Sequence, residues 1–206
     1  KVLEGDFYAG DIPKIYDVKS EVMGLAAFDG DKMVGKFDGQ ESLYLQMIQG
    51  IDNISNISIP YSKDEAYFTV LSVKKGRQPK CKVNLYGGVP YIDIALKLEA
   101  DILSIQVNEA LETVEKVKIL EQDAEKFIKR GVEKFLKKTT DMNVDVVGFG
   151  KFEKEKYLLW DNWMKVKWLQ KYRDSKFNVS VDVRIRRPGL MLKNVPPMYS
   201  EQGAKR

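Results

Sequence analysis

Histidine is absent from these 206 residues. That removes Ser-His-Asp and Cys-His nucleophile systems, and with them every zinc site that needs an imidazole ligand. Cysteine occurs once, at Cys81, so no disulfide can staple the chain internally. Cys81 lies in phase with Val83 and Leu85 and reads as a small apolar side chain in a strand, not as a reactive thiol. No run approaches the ~20 apolar residues of a membrane-spanning helix. The first residues also lack the basic, apolar and small-residue succession of a secretory signal, so the expectation is a soluble fragment or a mature chain. Apolar residues make up 44% of the chain and aromatics 11%, which excludes disorder as its main state.

Charge is unevenly spread. Residues 1–150 carry 20 Lys/Arg against 24 Asp/Glu, whereas residues 151–206 carry 14 against 6. The basic end is therefore the better candidate for contact with anions. A solvated basic face, an anionic membrane surface and an acidic protein partner are its three readings. Within it Arg184, Arg186 and Arg187 cluster at the end of a strand and are the candidate anion or partner contacts.

Along the chain, residues 1–20 hold Gly5, Gly10 and Pro13 without a sustained period, as a linker from an earlier domain would. Apolar runs on either side of Asp29-Gly30-Asp31-Lys32 predict a hairpin, because glycine accepts the positive φ of a tight turn. Asp38 with Glu41 three residues on forms a capping box for a short helix that Gly50 ends. Short strands are predicted around Ile57 and Ile59, over Tyr67 to Val73, and over Lys80 to Tyr86. From Ile92 to Ile102 every even position is apolar, the signature of a strand with one wet face in an antiparallel sheet.

Between Glu112 and Lys138 the period changes. Val114, Val117, Leu120, Ala124, Phe127, Ile128, Val132 and Phe135 recur at spacings of three and four and form one apolar stripe on a long helix. Glu121 and Glu125 with Lys129, and Glu112 with Lys116, fall at the spacing of solvated ion pairs along that helix. Strands and helices are segregated, so the fold class is α+β: a mostly antiparallel sheet packed against a long amphipathic helix, with shorter helices. The domain runs from 21 to 192, and residues 193–206 form a flexible tail.

Gly148-Phe149-Gly150 lacks the third glycine of a dinucleotide loop and reads as a sharp corner with Phe149 plugging the core. Asp29 and Asp31 fit turn chemistry better than a cation loop. Trp160, Trp163 and Trp168, with Tyr157 and Tyr172, are interleaved with lysines over four helical turns. Spacings of eight and four put Trp160, Trp168 and Tyr172 on one face. That face is a core face by default; a helix lying on lipid headgroups and a groove for a protein partner are the alternatives. No cofactor or metal site is expected.

Two blocks in order carry a resemblance. The first is the hairpin from Gly24 to Gly35 running into Gln40-Glu41-Ser42-Leu43. The second is Val144 to Val147 as a short apolar strand, Gly148-Phe149-Gly150, Trp160 and Trp168 with Tyr172, then the alternating Phe177, Val179, Val181, Val183 and Ile185. Over roughly residues 20 to 190 this resembles the C-terminal domain of the C-subunit lipoproteins of bacterial spore nutrient-germinant receptors. The resemblance implies shared structural positions at Gly35, Glu41, Gly148, Phe149, Gly150, Trp160 and Trp168. It also implies a non-enzymatic receptor subunit, lipid-anchored at the outer face of the spore inner membrane beside integral-membrane A and B subunits, with no nucleic acid involved. The anchor and earlier domains would lie outside this chain. A small-ligand binding module of an extracytoplasmic lipoprotein is the alternative, and a large, partly apolar cavity would favour it.

Overall fold

The computed structural model describes residues 24–51, 55–61, 64–105 and 114–187. The linker expected over 1–20 and the tail expected over 193–206 lie outside them. A two-stranded antiparallel hairpin comes first, with β1 (Leu25–Asp29) and β2 (Lys32–Phe37) joined through Gly30 at φ 65°. Helix α1 (Gly39–Gln49) follows at once. Its capping box closes as the spacing demands: Glu41 N donates to Asp38 Oδ1 at 2.7 Å, and Asp38 N donates to Glu41 Oε2 at 3.0 Å. Gly50, at φ 69°, ends the helix in the left-handed conformation that a side chain would resist.

The main sheet has four strands in the order β3-β4-β5-β6: β3 (Ser55–Tyr61), β4 (Asp64–Tyr86), β5 (Val89–Ile105) and β6 (Lys176–Arg187). The first three pair antiparallel and β6 joins β5 in parallel. The strands predicted over Tyr67 to Val73 and over Lys80 to Tyr86 are one unbroken β4, which runs through Gly76 and Pro79. The ladder absorbs them with register shifts between Lys75 and Arg77 and between Arg77 and Lys80. β3 reaches β4 only as far as Val73, so the missing N–H of Pro79 removes no bond to β3. The alternation of β5 holds along its length, with Ile92, Ile94, Leu96, Leu98, Ala100 and Ile102 all buried.

A parallel pair requires a crossover, and among the described residues the one from β5 to β6 contains four helices. The first, α2 (Val114–Asp141), buries Leu120, Ala124, Ile128, Val132 and Phe135, and Leu136 beside them. Val117 and Phe127 are half-buried. Glu121 and Glu125 do not serve the expected pairing with Lys129. They turn to β6, where Glu125 Oε1 accepts from Val183 N at 3.1 Å and Glu121 Oε1 from Ile185 N at 2.9 Å. These amides lie on the strand edge away from β5, so the helix covers an edge that would otherwise invite another strand. Glu112 lies outside the described residues.

Candidate functional site

Val144 to Val147 form no strand. An isolated carboxylate in a buried strand would be a costly orphan, and Asp145 is instead the acceptor around which the segment folds. Its Oδ1 accepts from Gly148 N and Phe149 N, both at 2.9 Å, and its Oδ2 from Gly150 N at 2.7 Å. These amides open helix α3 (Phe149–Lys154), whose own N-cap, Gly148, has no side chain to offer. Asp145 thus supplies the cap from three residues upstream. The same Oδ2 accepts from Trp168 Nε1 at 2.8 Å and so ties the later helix α5 (Trp168–Tyr172) to the start of α3.

The Gly-Phe-Gly corner has a physical requirement at each position. Gly148 sits at φ 84°. Phe149 is wholly buried between Tyr172 and Phe177, with ring centroids 6.4 and 6.0 Å away. A Cβ on Gly150 would come within 2.8 Å of the Trp168 indole. Tyr172 lies beneath, its hydroxyl 2.7 Å from Thr139 Oγ1, and burial pushes its phenol well above the usual tyrosine range. Every partner in this cluster is committed to another part of the fold, so its chemistry is to lock elements together. Asp145 was not singled out from sequence; a carboxylate three residues before a Gly-x-Gly helix start was the available signal.

The upstream motif residues are also structural. Gly35 lies against Met142, where a Cβ would overlap the sulfur. Glu41 pairs with Lys138 of α2, whose ammonium also stands over the Phe37 ring.

The arginine cluster is not a bare basic patch. Arg186 pairs with Glu99 at 2.8 Å, and this pairing holds the Glu99 carboxyl below its ordinary range. Arg184 lies 3.4 Å from Glu121 Oε2. Its Nε is 3.1 Å from Asp182 Oδ1, close enough for attraction although that oxygen gains no well-aligned hydrogen bond. Arg187 ends β6, its backbone aligned with Asp101.

The single aromatic helix expected from Trp160 to Tyr172 is broken. Lys167 adopts φ 50°, splitting it into α4 (Trp160–Val166) and α5. Trp160 and Trp168 therefore do not share a face: Trp168 is 8% exposed and Trp160 59%. Leu158 is fully exposed, and Leu159 and Met164 are mostly so. The result is a convex spur of apolar side chains at the turn between α3 and α4. Lysines stand around it, and the Lys154 ammonium lies 4.3 Å above the Trp160 ring.

Beside the spur, Glu153 is buried under Lys156 Nζ at 2.8 Å, and that ammonium donates also to Val83 O at 2.6 Å, which pins α3 to β4. The cavity between α1 and the sheet, lined by Leu43, Met47, Val73 and Leu98 among others, holds about 20 Å³, room for about one water. A wider space of about 320 Å³ near Glu133, Thr140, Arg173 and Ser175 is an open groove. Among the described residues no three acids or thiols gather as a metal cage, and no helix is long and apolar enough to cross a membrane.

Fold and surface together define an α+β domain with a four-stranded sheet, a long helix packed along β6 and a protruding apolar spur. The chain belongs to the spore germination B3/GerAC-like C-terminal family, whose model matches residues 23–189. It is 22% identical over 174 residues to the spore germination protein GerQC of Bacillus cereus, a match covering 82% of this chain and 46% of that protein. The crystal structure of the GerBC protein superposes with a TM-score of 0.64 at 19% identity, over 80% of this chain and 50% of the other. This chain thus spans about half the length of the relatives it matches. The mostly antiparallel α+β fold expected from sequence is the fold of this family.

Proposed function

We propose that this chain is the C-terminal domain of the C-subunit of a spore germinant receptor and that it acts by contact, not by catalysis. The family match across residues 23–189 carries this reading. The full-length protein would be lipid-anchored at the outer face of the spore inner membrane, with integral-membrane A and B subunits as partners. The structural support is of one kind: Gly35, Glu41, Phe149, Gly150 and Trp168 are occupied in packing or capping. Trp160 is the exposed exception among the shared positions, and a fold whose other shared residues serve the scaffold leaves its surface to do the work.

The test is a tagged full-length protein expressed in sporulating cells of the native host. Co-purification of two integral-membrane proteins from the spore inner membrane, together with slowed nutrient germination when this chain is deleted, is the expected result. Normal nutrient germination in the deletion strain, with no related gene to compensate, would refute the receptor role.

A further inference from the structure

We propose that the spur formed by Leu158, Leu159, Trp160 and Met164 inserts into the headgroup region of an anionic lipid bilayer. The inference deepens the receptor reading by giving this domain a membrane contact of its own, and it rests on that reading only for the presence of a membrane within reach.

Three observations carry it. The first is apolar exposure in one place. Leu158 retains its whole surface, Leu159 63% and Trp160 59%, three consecutive residues with Met164 one turn on at 56%. Scattered exposed leucines are ordinary, whereas a contiguous apolar tip marks a contact site. The second is charge. Residues 151–173 carry seven Lys/Arg against three Asp/Glu. One of those acids, Glu153, is buried in its pairing with Lys156. Lys151 and Lys154 precede the tip and Lys165 and Lys167 follow it, all exposed, while the Lys156 ammonium is held by Glu153 and Val83 O. An apolar tip flanked on both sides by ammonium groups is complementary to a surface that is negative outside and apolar beneath.

The third observation is shape. The tip protrudes at the turn into α4, with Leu158 keeping its whole surface, and its start is ordered where Asn162 N and Trp163 N donate to Leu159 O. A protein partner would need a pocket to receive it, while a bilayer needs none. Trp160 under the Lys154 ammonium adds the side-chain pair suited to an interface, an aromatic body at the level of the headgroups with a cation beside it. The arginines of β6 are poorer candidates for the same role, because Arg184 and Arg186 are paired with Glu121 and Glu99.

The experiment is sedimentation of the 206-residue chain with vesicles of phosphatidylglycerol and phosphatidylcholine mixed, and of phosphatidylcholine alone, with tryptophan emission recorded in parallel. Binding is expected only to the anionic vesicles, with a blue shift that Trp160→Phe removes. Because the Debye length falls from about 30 Å at 0.01 M salt to about 3 Å at 1 M, the lysine contribution should fade over that range. Leu158→Glu/Leu159→Glu should reduce partitioning by about tenfold or more. Lys154→Gln/Lys165→Gln/Lys167→Gln should also reduce it, by about a hundredfold at low salt, and flatten its salt dependence. Arg184→Gln/Arg186→Gln should bind as the parent does. The replaced leucines are exposed, so near-ultraviolet circular dichroism should be unchanged. Failure of the parent to bind anionic vesicles at low salt, or parent-like binding by the double leucine variant, overturns the proposal and leaves a protein as the occupant of the spur. Either result leaves the germination test above to stand or fall separately.

Discussion

At the scale of single residues, the most consequential side chain is one with no place in any catalytic scheme. Asp145 holds three amides at the start of α3 and the indole of Trp168, so a change of two atoms reaches two helices. Asp145→Asn keeps one acceptor oxygen and puts an amide donor where two donors converge, either the Gly150 amide with the Trp168 indole or the Gly148 and Phe149 amides. Lost charge-assisted bonds and a donor facing a donor should cost ~2–3 kcal/mol. Chemical denaturation followed by circular dichroism checks this, and a midpoint equal to that of the parent would show that the cap is dispensable. Phe149 was legible in the sequence as a plug because a large aromatic between two glycines has few other uses. Trp160 was misread for a reason equally local. The spacing of eight and four assumed an unbroken helix, and Lys167 takes the left-handed conformation that lysine rarely adopts.

At the scale of elements, periodicity located the long helix and β5 because a single buried face leaves a period of 3.6 or of 2 in the sequence. It could not show what each wet face does. Glu121 and Glu125 read as partners for a lysine along the helix, yet they bond to amides of a strand about sixty residues later, a pairing only tertiary structure creates. Replacing both by leucine removes the acceptors from Val183 N and Ile185 N and bares the edge of β6. The expected result is a loss of ~1–3 kcal/mol for each unsatisfied buried amide, with concentration-dependent self-association visible by size-exclusion chromatography. A stable, monomeric double variant would show that water serves these amides as well. Similarly, the two strands predicted over Tyr67 to Val73 and Lys80 to Tyr86 are one, because local pattern does not show that a ladder can absorb the residues between them as register shifts.

At the scale of the molecule, the two sequence blocks that carry the family resemblance, more than a hundred residues apart, meet at the C-terminal end of α2. From the first block come Gly35 against Met142, Glu41 to Lys138, and Phe37 edge-on to Phe135 with centroids 5.3 Å apart. From the second come Tyr172 to Thr139, and Asp145 reaching into α3 and α5. One buried apolar cluster runs through all of them, from Ala27 in the hairpin to Val183 in β6. If this helix end is the common support, damage to it should loosen both blocks together. Phe135 is wholly buried there, and Phe135→Ala should cost ~3–5 kcal/mol by leaving a cavity. Native-state hydrogen exchange, read peptide by peptide, separates a shared support from two independent ones. Protection should fall by a similar free energy in α1, which holds the first block, and in α3 and α5, which hold the second. A fall confined to the hairpin and α1, with α3 and α5 protected as in the parent, would mean that the second block stands on Asp145 and the sheet alone.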